Sequence, residues 1–321
     1  MASTAITELA SSTRELHGRK MNAKSEAYIL PADLPEIDRL NLQHRLWSRL
    51  MGGICSLSKD QLDELLKKRD GPPPAILDLG RGTGVWSVEM AQAYPHAKVV
   101  GLDLVDSKPI LLPPNCTFVT GDMTKGLAAY EKQFDLVHIR LVICHLKEHD
   151  TKRLVLNEAI KCLRLGGFIV VSDYNESMNN EKLEPVPPAN DDDEVNSERS
   201  WCTRWLSEVF PHRGYKRALR DIIKETISDN EVIDSASVKD SVYQMPLGWD
   251  GGDAKDGPET GRMAQIHWAD FARACAPSMR ERGVPAEKIE HWMARVDEEI
   301  SGKKARVYHG VISVSGRRLS E

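Results

Sequence analysis

The stretch Ala75-Ile-Leu-Asp-Leu-Gly-Arg-Gly-Thr-Gly-Val-Trp86 constrains this chain more than any other. Ile76 to Leu79 form a short, mostly apolar run that reads as a buried strand, and Gly80, Gly82 and Gly84 alternate directly behind it. Trp86 to Ala93 then opens a helix. A strand, a glycine turn and a helix N-terminus in succession make a nucleotide-sized cradle, because glycine takes backbone angles closed to other residues and lets a ligand press on main chain. Spacing excludes two familiar versions. A dinucleotide turn asks for G-x-G-x-x-G/A, and the third small position is Val85 here; a phosphate loop asks for Gly-Lys-Ser/Thr, which is absent.

The rest of the chain places this cradle in an alternating pattern. Residues 1–27 are polar and aperiodic, which predicts a mobile arm with no secretory signal. Ile37, Leu40, Leu42, Leu46, Trp47 and Leu50 fit a helix with one apolar side, and Ser58 opens a second helix that Gly71-Pro-Pro-Pro74 breaks. Strands follow at residues 98–103, 116–120, 134–139 and 167–172, with a helix from Asp150 to Leu163. Strands separated in this way predict a parallel sheet with both faces covered. Residues 175–198, with Asp191-Asp-Asp-Asp-Glu194, predict a solvated loop. Helices are expected at 199–210, 215–228, 262–276 and 286–300, and further strands at 238–245 and 305–314. These runs divide the chain into an arm (1–27), an N-terminal helical cover (28–70), a core (71–174) and a segment (175–321) that adds lid helices and completes the sheet.

Composition narrows the function classes. With 43 basic against 48 acidic residues and a net charge of −5, the chain has no electrostatic reason to take nucleic acid as its main partner. Its apolar runs are strand-sized, so no membrane span is expected. The cysteines at 55, 116, 144, 162, 202 and 275 lie far apart with no C-x-x-C pair, which predicts buried reduced thiols in a cytoplasmic or nuclear protein and no metal site.

The pattern that remains in the glycine turn, D-x-G-x-G-x-G, is similar to the first motif of class I methyltransferases, which bind S-adenosylmethionine. Three acids fall at successive strand ends, where open α/β sheets hold their ligands. Asp78 would orient the glycine loop or take the methionine amine through water. Asp103, with Leu104 beside it, would accept both ribose hydroxyls. Asp122 would accept the adenine amino group, with Met123 packed on the ring.

Over nearly its full length, from Tyr28 to Arg318, the chain resembles the fungal LaeA-like or UMTA-type methyltransferases. The specific parts are Glu36-Ile-Asp-Arg-Leu-Asn-Leu-Gln-His-Arg-Leu-Trp47 and Phe134-Asp-Leu-Val-His-Ile-Arg140. Pro113-Pro-Asn115, Leu163-Arg-Leu-Gly-Gly-Phe168 and the closing Tyr308 to Arg318 add to them. The resemblance implies a Rossmann-like fold with a seven-stranded, mostly parallel sheet, a helical lid, and S-adenosylmethionine as cofactor. It also implies O- or N-methylation of a small molecule in secondary metabolism.

The chain departs from that pattern at Arg81, where the family usually has a small residue. The guanidinium could pair with the cofactor carboxylate, its bulk could crowd the pocket, or it could swing to solvent. The cost of a buried unpaired charge favours pairing. Among the remaining candidates, His145 follows the fourth core strand and is the candidate base. His138 and Arg140 lie in that strand, near the cofactor. Tyr28, His44, Trp201, Trp205 and His267 are candidates for the acceptor side. Trp201 and Trp205 are spaced to share one side of a helix. Two alternatives stay open: a regulatory protein that binds the cofactor and protein partners, and a pericyclase-like enzyme that keeps the cofactor without methyl transfer.

Overall fold

Short apolar runs that alternate with helices bury both their faces only in a parallel sheet with helices on either side. The computed structural model, which describes residues 13–23, 29–105, 111–211, 218–252 and 256–319, has this arrangement. In chain order its elements begin with β1 (Thr13–Leu16), β2 (Arg19–Asn22), α1 (Leu34–Met51), α2 (Lys59–Leu65) and β3 (Ala75–Leu79). Next come α3 (Val85–Ala93), β4 (Lys98–Asp103), β5 (Cys116–Thr120), β6 (Phe134–Arg140), α4 (His149–Lys161) and β7 (Leu163–Asn179). The last are α5 (Trp201–Val209), α6 (Leu219–Ser228), β8 (Ile233–Pro246), α7 (Gly257–Glu281), α8 (Ala286–Glu299) and β9 (Tyr308–Arg318).

The seven-stranded sheet has the order β5-β4-β3-β6-β7-β9-β8. β3 pairs in parallel with β4 and β6, β4 with β5, and β6 with β7. The chain thus builds outward from β3 to β5, then returns to the other side of β3 as β6. That reversal is a topological switch point, and the crevice at the carboxyl ends of β3 and β6 is where such sheets hold ligands.

The chain divides into two compact units. The sheet unit comprises Met51–Tyr174, Arg217–Val242 and Val311–Glu321; the helical unit comprises Met1–Leu50, Asn175–Lys216 and Tyr243–Gly310. In the sheet unit one face buries Ile76, Val99, Leu136 and Val170 against Leu62, Leu66, Trp86 and Met90 of the α2 and α3 layer. The opposite face buries Leu77, Val137, Ile139 and Ile169 against Val155 and Leu156 of α4 and Ile223 and Ile227 of α6. Each fully buried aliphatic side chain contributes about 1.5–3 kcal/mol, against about 0–1 kcal/mol for a surface ion pair, so these two layers dominate the unit's stability.

Two of the sequence blocks have structural work at the amino ends of the strands. Asp135, the second residue of β6, is buried and accepts from both terminal nitrogens of Arg69 at 2.8 Å, from Arg164 Nη1 at 2.8 Å and from the Ala75 amide at 2.8 Å. One carboxylate thereby ties the starts of β3, β6 and β7 together. Ser58 opens α2 as expected and forms a capping box there, its hydroxyl accepting from Gln61 N at 3.2 Å while Gln61 Oε1 accepts from Ser58 N.

In the helical unit four expectations need correction. Part of the expected mobile arm is a hairpin, β1 paired with β2. His17 and Gly18 both have positive φ, 48° and 79°, which suits a two-residue hairpin turn. Asp33 then accepts both Arg19 Nε (2.6 Å) and Nη2 (2.8 Å). The buried side of α1 is not the apolar stripe expected. Ile37 is 38% exposed, while Glu36, Arg39, Gln43 and His44 are buried beside Leu46 and Trp47. Glu36 pairs with Arg39, and Arg39 and Gln43 lie against His267, as described below. The acidic loop is not merely solvated: Asp191 accepts from Trp292 Nε1 at 3.1 Å and pairs with Lys288 at 3.0 Å and Arg204 at 3.5 Å. Finally, α1 and α2, read from sequence as one cover, fall in different units.

Candidate functional site

The geometry of the glycine turn follows from what its neighbours leave room for. Gly80, Gly82 and Gly84 have φ of 74°, 57° and 80°, a region that side-chain-bearing residues adopt only at a cost. A Cβ on Gly80 would lie 2.2 Å from Val142 Cγ2, and one on Gly84 2.2 Å from Phe118 Cζ, whereas nothing lies within 4 Å of that position at Gly82. The turn is packed from below at both ends and open in the middle. It is tied to β4 by main chain, with Gly80 N donating to Leu102 O at 2.8 Å. The Asp103 side chain completes the tie: its Oδ2 accepts from Gly82 N at 2.9 Å and its Oδ1 from Val105 N at 3.0 Å. Burial raises the Asp103 acid above the usual range, while these amides and the Arg81 charge pull it back.

Asp78 and His138 face each other across the switch point as register partners on β3 and β6. Asp78 Oδ1 lies 2.9 Å from His138 Nδ1, and Asp78 Oδ2 accepts from Ser87 Oγ at 2.5 Å. The His138 ring stacks on Trp86, with centroids 3.7 Å apart and planes 5° from parallel. Burial holds the imidazole below its ordinary pKa, outweighing the Asp78 charge, so the ring is neutral near pH 7 and Nδ1 carries the proton donated to Asp78. These bonds tie Asp78 to α3 through Ser87 and to β6 through His138. His138 itself is buried.

Asp122 Oδ1 accepts from Thr124 N at 2.9 Å and Thr124 Oγ1 at 2.6 Å, capping the single turn Met123–Lys125. Met123 is buried, its Cε 3.7 Å from where a Cβ on Gly80 would stand. Leu104 follows Asp103 directly, half-buried. Arg140 closes β6; burial lowers its pKa, with Asp78, Tyr174 and Glu89 opposing. Leu141, next in the chain, has φ of 56°, an αL conformation that costs about 1–2 kcal/mol for a residue with a Cβ. This strain turns the chain so that Val142 packs on Gly80 and a one-turn helix, Ile143–His145, begins. Cys144 N in that turn donates to Asp173 Oδ2 at 3.0 Å. His145 is half-buried there.

Of the three options for Arg81, solvent is closed: the residue is 5% exposed. Its Nη1 and Nη2 donate to the carbonyl oxygens of Gly82 and Val105, both at 2.9 Å.

The candidates for the acceptor side fall in the helical unit, and Tyr28 lies outside the described residues. His267 of α7 lies 3.5 Å from Arg39 Nη1 and 3.2 Å from Gln43 Nε2, and Arg39 holds Glu36 through two bonds of 2.8 and 2.6 Å. Burial, reinforced by the Arg39 and His309 charges, pushes His267 well below its ordinary pKa. His44 is buried on the same helix as Arg39. Trp201 and Trp205 are fully buried, and Trp201 meets His291 edge-on at 5.6 Å.

Asp173, Phe118, Gly101 and Val142 were missed in the sequence. Asp173 ends no recognisable motif, and the other three look like ordinary strand or loop residues until the strand register is known. The six cysteines are buried and form no disulfide. Among the described residues no helix is long and apolar enough to cross a membrane.

Residues 37–225 match the family described as "Methyltransferase domain". The chain is 30% identical over 168 residues to "Methyltransferase str2" of Strobilurus tenacellus, covering 52% of this chain and 56% of that protein. It is 34% identical over 166 residues to "Secondary metabolism regulator laeA" of Coprinopsis cinerea, covering 50% and 39%. With "Methyltransferase pytC" of Aspergillus terreus it shares 33% over 181 residues, covering 55% and 51%. The chain thus spans about half the length of the curated relatives it matches.

Proposed function

The chain belongs to the methyltransferase-domain family, and from that premise we propose that it binds S-adenosylmethionine and methylates an oxygen or nitrogen of a small molecule in fungal secondary metabolism. The observation that carries this reading is the open main chain at Gly82 with the Asp103 carboxylate fixed beside it at the end of β4. The residues present suit such a cofactor. An ionised carboxylate has about four acceptor positions, and Asp103 gives main chain one on each oxygen. Each oxygen keeps a position for one ribose hydroxyl. Asp122 and Met123 are our candidates for the adenine, Leu104 for a flank of the ribose, and Arg140 for the amino-acid end. Bound there, S-adenosylmethionine supplies a sulfonium-activated methyl group, whose in-line transfer depends chiefly on alignment.

The chain's own residues contribute position and a base. We assign His145 to the acceptor's proton, because an imidazole takes up a proton near neutrality as an O–H or N–H is methylated. Asp173 supports this role by anchoring the turn before His145 through Cys144 N. Trp201 and Trp205 remain our candidates for the acceptor, because their indole nitrogens are buried with no hydrogen-bond partner among the described residues. An indole N–H only donates, and a buried donor left alone costs about 1–3 kcal/mol, so an oxygen-bearing acceptor suits them. The cytosol or nucleus is the expected setting.

Incubating the purified protein with methyl-labelled S-adenosylmethionine and a metabolite extract tests the reading. Labelled small-molecule product with equimolar S-adenosylhomocysteine is expected; binding without either product overturns it. That second outcome favours a regulatory protein, a reading supported by relatives named as secondary-metabolism regulators.

A further inference from the structure

Arginine is a large residue for the middle of a glycine turn, and both parts of its side chain are housed. A Cβ on Gly101 of β4 would lie 2.8 Å from Arg81 Cδ, so the arginine stem occupies the groove left by the missing Gly101 side chain. The guanidinium lies over Phe118 of β5, 4.2 Å from the ring centroid, and the same ring abuts Gly84. From that seat Arg81 donates to Gly82 O and Val105 O, each at 2.9 Å. Asp103 accepts from Gly82 N and Val105 N at 2.9 and 3.0 Å.

The two side chains therefore grip the same pair of residues, one by the carbonyls and the other by the amides. Gly82 belongs to the turn behind β3 and Val105 to the chain behind β4, so the clamp joins the two segments that form the cradle. Opposite charges in the clamp reinforce one another: the Arg81 charge helps keep the buried Asp103 ionised, and an ionised Asp103 is the better acceptor for both amides.

We propose that Arg81 is a positioning residue of the cofactor site. It fixes Gly82 and Val105 in place before ligand binds, and so holds Asp103 ready for the ribose. This rests on the S-adenosylmethionine reading given above. It assigns Arg81 to the adenosine half of the ligand through main chain, and not to the amino-acid carboxylate. Gly101 becomes its partner, since a Cβ there would lie 2.8 Å from the stem as well as 3.1 Å from both Phe118 Cδ1 and Ser87 Oγ.

Calorimetric titration of the full chain with S-adenosylmethionine and with 5′-methylthioadenosine, which lacks the carboxylate and amine, separates these roles. Arg81→Thr is expected to weaken both ligands by the same factor, about tenfold. Arg81→Lys is expected to recover only part of the loss, because an ammonium lacks the planar fork that reaches two carbonyls. Weakening confined to S-adenosylmethionine means carboxylate pairing and overturns the proposal, as does unchanged affinity for both. Gly101→Ala supplies a second, independent arm. It is expected to weaken both ligands in the wild-type chain and to cost less in the Arg81→Thr background, where the 2.8 Å conflict with the stem is gone and only the 3.1 Å approaches to Phe118 Cδ1 and Ser87 Oγ remain. Equal penalties in the two backgrounds overturn the proposal. A thermal midpoint well above the titration temperature in each variant separates a loosened site from a lost fold. A wild-type chain that binds neither ligand removes the cofactor reading itself, and the proposal with it.

Discussion

At the scale of single residues, Asp103 has most to lose. Asp103→Ala leaves Gly82 N and Val105 N without their partner and removes the proposed ribose acceptor. Hydrogen bonds to a charged group are worth about 1.5–3 kcal/mol each, so S-adenosylmethionine affinity should fall at least about tenfold. Calorimetry checks this, and equal affinities in wild type and variant would remove Asp103 from the site. His145 makes a different claim, about rate. If it takes the acceptor's proton, His145→Gln should lower kcat by about 10²- to 10⁴-fold and leave S-adenosylmethionine affinity unchanged. A variant with wild-type turnover would return the residue to a purely local role in its one-turn helix.

At the scale of elements, the α5 N-terminus shows how burial and a helix end compete for one proton. Ser200 caps α5 through Thr203 N at 3.0 Å, and Glu299, from the end of α8, adds a carboxylate that accepts from Cys202 N at 2.6 Å. The positive end of a helix favours that charge. Burial outweighs it and lifts the Glu299 acid to about 7, while the bonds from Cys202 and Ser200 pull it down. A carboxyl whose folded pKa lies above its unfolded value of 4.5 stabilises the fold by holding a proton. Its contribution is present below about 4.5 and is lost as pH rises through about 7. Glu299→Gln keeps the volume and one acceptor but cannot ionise. Its thermal midpoint should therefore exceed the wild-type value at pH 8 and approach it at pH 5. Parallel melting curves at the two pH values would rule out a titrating Glu299.

At the scale of the whole molecule, the sheet, its helices and the ordered acids were legible because each is a local pattern with its own period. The strand–turn–helix at Ala75–Ala93 and the helix start at Ser58 need only neighbouring residues. What stayed hidden depends on register or on partners far along the chain. The Arg81 seat requires β3, β4 and β5 to be aligned so that Gly101 stands beside Asp78 and Phe118 beside Gly101. The polar buried side of α1 makes sense only with His267, 228 residues beyond Arg39. The same partners make the last prediction. His138 in the sheet unit and His267 in the helical unit are both held neutral, each mainly by burial. Asp78 opposes the shift at His138, whereas the Arg39 and His309 charges reinforce it at His267. A histidine whose folded pKa is depressed takes its proton in the unfolded chain first. Its stabilisation is complete above about 6.5 and is lost as pH falls below that value, the reverse of Glu299. Because Glu299 masks part of this slope, the measurement belongs in the Glu299→Gln background, with thermal midpoints at pH 7.5 and 5.5. The midpoint should drop with acid, and His138→Asn and His267→Gln should each flatten the drop. A midpoint that does not fall between pH 7.5 and 5.5 would show that neither imidazole is held neutral by its surroundings.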